Sequence, residues 1–181
     1  MFGEVSSSDR WTLADDDDAP APGRPLAYLI RTDGAARGNP GPASLGAALY
    51  DLSRPDARDH RAVPDASISE YLGIQTNNVA EYTGTLRALE LARELGASEV
   101  HLLLDSKLIV EQLAGRWRVK DAKLIPLWSA SRGVLNGFRR WTAAHVPRAQ
   151  NSVADALANE AIDRAQAGGP ARVVRRPSDP T

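Results

Sequence analysis

The sequence predicts a single mixed α/β domain, and three observations support this prediction. A length of 181 residues suits one domain. Hydrophobic residues make up 43% of the chain, which is enough to build a core. Short apolar segments and helical patterns follow one another in the order βββαβααβα, which predicts a mixed sheet with helices packed against it.

The first half of the body predicts three strands and a helix. Strands are expected over residues 26–33, over 44–51 and within 59–73, and their spacing suggests an antiparallel meander. The Gly/Pro-rich stretch "RTDGAARGNPGPAS" at 31–44 predicts a turn between the first two strands. A helix is expected over 76–96, because apolar residues recur there at spacings of three and four, at Val79, Tyr82, Leu86, Leu89 and Ala92.

The second half predicts two further strands and three helices. The run "SEVHLLLD" at 98–105 has the composition of a buried strand, and "FRRWTAAHVP" at 138–147 supplies the last strand. Helices are expected over 106–115, 124–135 and 151–166. We find no internal repeat.

The ends of the chain differ in composition from this body, which we place at residues 26–166. Residues 1–25 carry a net charge of −4, largely from Asp15–Asp18, and the remainder carries +3. We expect residues 1–25 to form an acidic disordered arm. We expect residues 167–181, "AGGPARVVRRPSDPT", to form a flexible, mildly basic tail.

The composition also indicates the cellular compartment in which the protein is expected. The chain has no cysteine, which excludes disulfides, thiolate metal sites and cysteine nucleophiles and fits a reducing cytoplasm. No apolar run approaches the roughly 18–20 residues of a membrane span. The N-terminus lacks the charged and apolar regions of a signal peptide. We therefore predict a cytoplasmic protein without a membrane partner.

Four carboxylates fall at the ends of predicted elements, where each has a structural explanation. Asp33 ends the first strand and Asp105 the fourth, while Glu81 and Asp155 lie in the first turns of helices. Asp105 could cap the helix that follows it. Glu81 and Asp155 could belong to capping boxes begun by Asn78 and Ser152.

Taken together, the four carboxylates predict a metal site. If the first and fourth strands are neighbours, Asp33 and Asp105 meet at their carboxyl ends, where open α/β sheets bind ligands. Four such groups repel one another unless cations hold them. Oxygen ligands without cysteine favour Mg²⁺ or Mn²⁺ over zinc. Sites of this kind commonly hold two ions about 3.5–4 Å apart and cleave phosphodiesters.

Four blocks of the sequence resemble one family, type 1 ribonuclease H. They are "TDGAARGNPGPAS", "TNNVAEYTGTLRALELA", "LLLDSKLIVEQL" and "HVPRAQNSVADALANEA", and they span most of residues 28–163 in the family's order. The resemblance implies a ribonuclease H-like fold. Its sheet would have five strands, three antiparallel and then parallel ones, with helices on both faces. It also implies Mg²⁺-dependent cleavage of the RNA strand of an RNA/DNA hybrid.

The resemblance implies a role for individual positions. Asp33, Glu81, Asp105 and Asp155 match the family's metal-binding carboxylates, with Asp33 between two ions. Asn39 and Thr76 match positions that hold a phosphate of the DNA strand. Contacts to the RNA strand or to the minor groove are implied for Gly34, Asn77, Asn78, Ser106 and Lys107. Lys107 departs from the pattern, because many members carry Gln there.

Two regions differ from many bacterial members. The segment "AGRWRVKDAKLIPLW" replaces a long basic protrusion, so the chain resembles the handle-less subtype. There, Arg116, Trp117, Arg118 and Lys120 either grip the DNA strand or form a solvated loop. His145 and Arg148 compete for the role of the family's mobile histidine, and we favour Arg148. His60 and His101 are interpreted as structural.

Two alternatives to a ribonuclease H remain open at this point. One is another nuclease of the superfamily. Proofreading exonucleases, however, carry an Asp-x-Glu motif in the first strand, and this chain has Ala35 in place of the Glu. The other is a non-catalytic hybrid-binding domain, although such domains usually lose carboxylates. A monomer is expected.

Overall fold

The computed structural model describes residues 25–177, which form a six-stranded mixed sheet with helices on both faces. The strands are β1 (Ala27–Ala36), β2 (Gly41–Asp51), β3 (Ala66–Gln75), β4 (Glu99–Leu104), β5 (Arg140–His145) and β6 (Arg172–Arg175). The helices are α1 (Asn77–Glu94), α2 (Lys107–Leu113), α3 (Ile125–Leu135) and α4 (Ser152–Gln166), with a 3₁₀ turn at Arg148–Gln150. The predicted acidic arm lies, apart from Pro25, outside the described residues.

The sheet order is β5-β4-β1-β2-β3-β6. β1, β2 and β3 pair antiparallel, which confirms the predicted meander. β4 pairs parallel with β1 and with β5. This change of direction follows from the connections: the loops over 37–40 and 52–65 that join the meander contain no helix, whereas α1 crosses over between β3 and β4.

The sixth strand corrects the predicted count of five. β6 pairs antiparallel with the outer edge of β3, from Ser67 opposite Arg175 to Glu70 opposite Arg172. It lies inside the stretch predicted as a flexible tail, where Gly, Pro and Arg dominate the composition. Val174 packs against the main core and the strand covers an otherwise open sheet edge, so long-range pairing outweighs local composition here.

Each face of the sheet has its own apolar core. On one face α1, α2 and α3 pack against the strands, with Ile30, Tyr82 and Leu102 fully buried. On the other face α4 and the loop after β2 cover a smaller cluster around Leu29 and Tyr50. Within residues 25–177, no helix has both the length and the apolar character needed to cross a membrane.

The sequence suggested that the first strand ends at Asp33, but the strand is longer. β1 continues to Ala36 through its pairing with β2. Its pairing with β4, however, stops at Thr32 opposite Leu104. Asp33 is therefore the first residue beyond the parallel ladder, at the point where β1 and β4 separate and a crevice opens between them.

Close packing of α4 on β2 depends on Gly46. A Cβ atom at this position would overlap the Ala154 carbonyl oxygen and would lie 2.7 Å from the Ala158 nitrogen. Both of these atoms belong to the α4 backbone, which cannot move without shifting the whole helix. Glycine is thus needed at Gly46 because two backbones meet there.

We expect Gly46→Ala to destabilise the protein by about 3 kcal/mol, the upper part of the usual cost of overpacking. Gly133→Ala is the matched control: Gly133 lies within α3 with open space around its Cα, so alanine should stabilise the protein by about 0.5–1 kcal/mol. Thermal and urea denaturation followed by circular dichroism measures both changes. Equal stability of the two variants would contradict this account of α4 packing.

Candidate active site

Three of the four predicted carboxylates converge at the crevice between β1 and β4. One oxygen each from Asp33, Glu81 and Asp105 lies within 4.8 Å of the others. They stand in an open cleft of about 530 Å³, whose lining also includes Asp155 and Arg148. Side chains far apart in the sequence therefore share one site.

Glu81 reaches the site through the start of α1. Thr76 caps this helix, its Oγ1 accepting a hydrogen bond from the Val79 amide at 3.3 Å. The capping box proposed for Asn78 and Glu81 is therefore wrong, and Glu81 lies just past the first turn. Its carboxylate is free to point into the cleft.

Gly34 allows α1 to approach β1 this closely. A Cβ atom on Gly34 would lie 2.7 Å from the Ala80 carbonyl carbon and 2.8 Å from the Glu81 Cα. Gly34 is buried and lines the cleft. Helix packing thus accounts for glycine here, and the contact to substrate that the sequence suggested stays a prediction.

Asp105 follows β4 directly and is not the cap of α2. Ser106 is the cap, with its Oγ accepting from the Ile109 amide at 3.4 Å. The Ser106 side chain also hydrogen-bonds Glu81. One serine thus starts α2 and contacts the carboxylate brought by α1.

Asp155 borders the site from the first turn of α4. Asn151, and not Ser152, occupies the cap position, so the second proposed capping box is also wrong. The Asp155 carboxyl is close enough to Asp33 to raise the pKa of that carboxyl through hydrogen bonding and charge. Arg148 Nη2 lies 3.8 Å from Asp155 Oδ1. The fourth carboxylate is thus adjacent to the other three, on the α4 side.

Burial disfavours ionisation of the carboxyl groups, and at Asp33 and Glu81 the neighbouring acids add to this effect. Burial, with Asp105, Asp155 and Glu81 nearby, raises the pKa of Asp33 to about 8. Burial and Asp105 raise the pKa of Glu81 to about 7, against the opposing effects of Ser106 and Arg148. Burial also raises the pKa of Asp105.

This donor set fits a hard divalent cation. Asp33 Oδ2 is buried without a hydrogen-bond partner in the described part of the chain, and the Asp33 carboxyl lies within 4.8 Å of acidic oxygens of Glu81 and Asp105. Carboxylate oxygens alone suit Mg²⁺ or Mn²⁺. A cation would favour the ionised carboxylates against the burial and repulsion that raise the pKa values of Asp33 and Glu81.

The residues predicted to contact substrate divide into two groups. Asn39 and Asn77 line the cleft with Gly34. Asn39 Oδ1 accepts a hydrogen bond from the Asn77 amide at 3.1 Å, which ties the loop after β1 to the start of α1 beside Thr76. The lining of this cleft does not include Thr76, Asn78, Ser106, Lys107, Trp117 or Lys120.

Lys107 and Trp117 form a separate surface beside α2. Lys107 Nζ lies 5.9 Å from the centroid of the Trp117 ring, and 46% of Trp117 is exposed. Arg118 and Lys120 are also exposed, whereas Arg116 pairs with Glu111. The connection over 114–124 contains no helix, in agreement with the predicted absence of a long protrusion.

His145 and Arg148 both lie near the carboxylates but differ in position. His145, the last residue of β5, is exposed, and its Nε2 is 3.1 Å from the Asp105 carbonyl oxygen. Arg148 lies in the 3₁₀ turn, is 82% exposed at its side chain and lines the cleft. His101 is buried and hydrogen-bonded to Thr142, in line with its structural interpretation.

Sequence reasoning missed two polar residues of the cleft wall, Arg37 and Asn159. Arg37 Nη2 pairs with Asp163 Oδ1 at 2.7 Å. Asn159 Nδ2 donates to the Asp155 carbonyl oxygen at 3.0 Å. Helical spacing could have found Asn159, because it lies four residues after Asp155 on the same face. The link between Arg37 and α4 has no local signal.

Comparison with known proteins agrees with this fold. A family described as "Reverse transcriptase-like" matches residues 31–161. The bifunctional protein Rv2228c of Mycobacterium tuberculosis is 44% identical over 140 residues, which are 77% of this chain and 36% of that protein. The chain thus spans about a third of the length of the mycobacterial relatives it matches.

Solved structures cover the same region. The crystal structure of RNase H1 from the archaeon Halobacterium salinarum is 40% identical, with a TM-score of 0.68, 76% of this chain covered and 98% of that one. LC11-RNase H1, solved in complex with an RNA/DNA hybrid, is 37% identical with a TM-score of 0.68, covering 77% and 99% of the two chains. The fold and the position of the acidic cleft place the chain in the ribonuclease H class. The chain belongs to the type 1 ribonuclease H family.

The raised pKa of Asp33 predicts the pH dependence of stability in the metal-free protein. The folded chain holds this proton up to about pH 8, whereas the unfolded chain releases it near pH 3.9. The stability contribution is therefore fully present below about pH 4 and is lost as the pH rises through 8. In chelator-treated protein we expect Tm to fall between about pH 6 and 8.5, by about 2–4 °C for each kcal/mol lost.

The control for this measurement is Asp33→Asn, which removes the titrating carboxyl and should reduce the slope of Tm against pH. Added Mn²⁺ should raise Tm of the wild type most at high pH, where the carboxylates are ionised. Differential scanning fluorimetry over the pH series measures both effects. Parallel curves for wild type and Asp33→Asn would contradict the electrostatic account.

Proposed function

We propose that this protein is an endonuclease that hydrolyses the RNA strand of RNA/DNA hybrids. The observation that carries the proposal is the convergence of acidic oxygens in an open cleft, in a chain of the ribonuclease H family. The hybrid bound to LC11-RNase H1 supports the choice of substrate.

The carboxylates would hold two divalent ions, Mg²⁺ or Mn²⁺. Asp33, Glu81 and Asp105 would hold one ion, and Asp33 with Asp155 would hold the other. When bound, such ions supply an activated water and charge stabilisation at the leaving 3′ oxygen. The products would carry 5′-phosphate and 3′-hydroxyl ends.

Residues of the cleft wall and of the helix starts next to it would bind and orient the hybrid. Asn39 and Thr76, which lie beside each other, would hold a phosphate of the DNA strand. The RNA strand and the minor groove would be contacted by Gly34, Asn77, Asn78, Ser106 and Lys107. Recognition of the RNA 2′-hydroxyl needs donors and acceptors close to the scissile phosphate, which these residues offer.

The exposed surface next to α2 would contact the DNA strand. Trp117 offers a ring for stacking, while Lys107, Arg118 and Lys120 offer charge to phosphates. Arg116 is engaged with Glu111 and contributes less. Without a long basic protrusion, this surface would bind hybrids more weakly than enzymes that have one.

Arg148 fits the role of the mobile histidine better than His145. Its exposed side chain lines the cleft near Asp155, so it can follow a phosphate that enters or leaves the site. His145 contacts the Asp105 backbone oxygen but does not itself line the cleft. Arg148 would orient or stabilise the reacting phosphate and assist release of the product.

The proposal includes a cytoplasmic monomer that removes RNA from hybrids formed during DNA replication and repair. The absence of cysteine supports a reducing compartment.

The test is cleavage of an end-labelled RNA/DNA hybrid with and without Mg²⁺. Wild-type protein should cut only the RNA strand and only with a divalent ion. Asp105→Asn should lower kcat by more than about 10²-fold, because it removes a charge and keeps the shape. Circular dichroism should show an unchanged fold.

Other substrates separate the alternatives. Cleavage of branched or single-stranded DNA in preference to the hybrid would indicate another nuclease of the superfamily. Hybrid binding without cleavage would indicate a non-catalytic domain. Near-normal turnover by Asp105→Asn would contradict the assignment of the site.

Arg148→Ala should lower kcat by about 10-fold, since a cation near the reacting phosphate is lost. His145→Ala should have a smaller effect. Single-turnover and steady-state rates on the same hybrid distinguish chemistry from product release. A larger loss for His145→Ala than for Arg148→Ala would reverse the assignment.

A further inference from the structure

Asn151 connects three parts of the site, and no role has yet been given to its side chain. Its exposed fraction is 1%. Nδ2 donates a hydrogen bond to the Thr32 carbonyl oxygen at 2.7 Å, directly before Asp33. Asn151 also lowers the pKa of the Asp105 carboxyl as a hydrogen-bonding neighbour, while its own Oδ1 is buried without a partner among the described residues. One amide group therefore contacts the ends of β1 and β4 where they separate.

The backbone of Asn151 reaches the other two groups of the site. Its carbonyl oxygen accepts from the Asp155 amide at 3.0 Å, and its own amide donates to the Arg148 carbonyl oxygen at 3.0 Å. Asn151 is thus one hydrogen bond away from the segments that carry Asp33, Asp105, Asp155 and Arg148.

Helix capping does not explain this side chain. Asn151 occupies the cap position of α4 but makes no side-chain hydrogen bond to the first turn. Its donor is directed at the sheet instead. The neutral amide suits this place, because it can donate to a carbonyl and to a carboxylate without adding charge to an acidic pocket.

A second interaction holds the same segment against the sheet. Arg31 Nη1 donates to the Gln150 carbonyl oxygen at 2.9 Å, and Arg31 is 3% exposed. Arg31 and Thr32 of β1 therefore bind consecutive residues of the turn before α4. This arrangement limits movement of α4 relative to β1 at the point where Asp155 meets Asp33.

We propose that Asn151 is a positioning residue, which holds Asp105 and the start of α4 against β1 so that the carboxylates can share a divalent cation. Its effect on cleavage rests on the proposed function, whereas its effect on cation binding does not. Partners that orient metal ligands typically contribute about 10–100-fold in metal affinity.

The informative variant is Asn151→Ser. Serine is a favourable helix cap, so the start of α4 should persist, but it is too short to contact Thr32 and Asp105 together. Asn151→Ala removes both the contact and any cap. We expect Asn151→Ser to keep Tm close to that of the wild type, and Asn151→Ala to lower it.

The primary readout is Mn²⁺ affinity of chelator-stripped protein by titration calorimetry. Both variants should bind Mn²⁺ at least about 10-fold more weakly than the wild type. In the hybrid assay both should show a lower kcat and a higher half-saturating Mn²⁺ concentration, with KM for the hybrid unchanged.

Ser69→Ala is the matched structural control. Ser69 is 3% exposed and its Oγ donates to the Leu157 carbonyl oxygen of α4 at 2.7 Å, away from the carboxylates. The Ser69→Ala substitution should lower Tm and leave the Mn²⁺ affinity of the folded protein unchanged.

Three results would overturn the inference. They are wild-type Mn²⁺ affinity in Asn151→Ser, an equal loss of affinity in Ser69→Ala, and failure of both Asn151 variants to fold, which would make the residue a requirement of the fold. If the wild type binds Mn²⁺ but does not cleave hybrids, the proposed function fails and the positioning role is still decided by the calorimetry.

Discussion

The burial of several carboxyl groups in one cleft is the constraint on which the arrangement of this site depends. Asp33 lies where the parallel ladder of β1 and β4 ends, and its pKa of about 8 shows how strongly burial and the neighbouring acids oppose its charge. A divalent cation offsets that cost directly. The geometry therefore has to be stable without the cation and already suitable for binding it.

The fold meets this requirement by fixing each acidic residue through a separate local device. Thr76 and Ser106 begin the helices next to Glu81 and Asp105, and Asn151 joins the turn before α4 to β1. Gly34 and Gly46 let helices approach the sheet on its two faces, to distances that a Cβ atom would prevent. The carboxylates are thus positioned by backbone packing and neutral hydrogen bonds, which do not add charge to the pocket.

Much of the architecture could be predicted because its signals are local. The apolar periodicity of α1 and the short apolar run of β4 are properties of adjacent residues, and both elements appear in the structure. The capping boxes failed because several side chains near each helix start could have served as the cap. Which one does so depends on how the chain enters the helix. The place of Arg37 in the cleft wall was not predicted, because its partner, Asp163, is far away in the sequence.

The sequence by itself determined the kinds of residue available: oxygen ligands without cysteine, and helices and strands with the right periodicity. It also determined the order of the motifs that mark the family. Only the tertiary structure decided that Asp33, Glu81 and Asp105 share a site, that β6 completes the sheet, and that Gly34 serves helix packing. The physical reason is the distance along the chain over which each interaction acts. Periodicity and turn chemistry act over a few residues, whereas strand pairing and the approach of two backbones join segments that the chain places far apart.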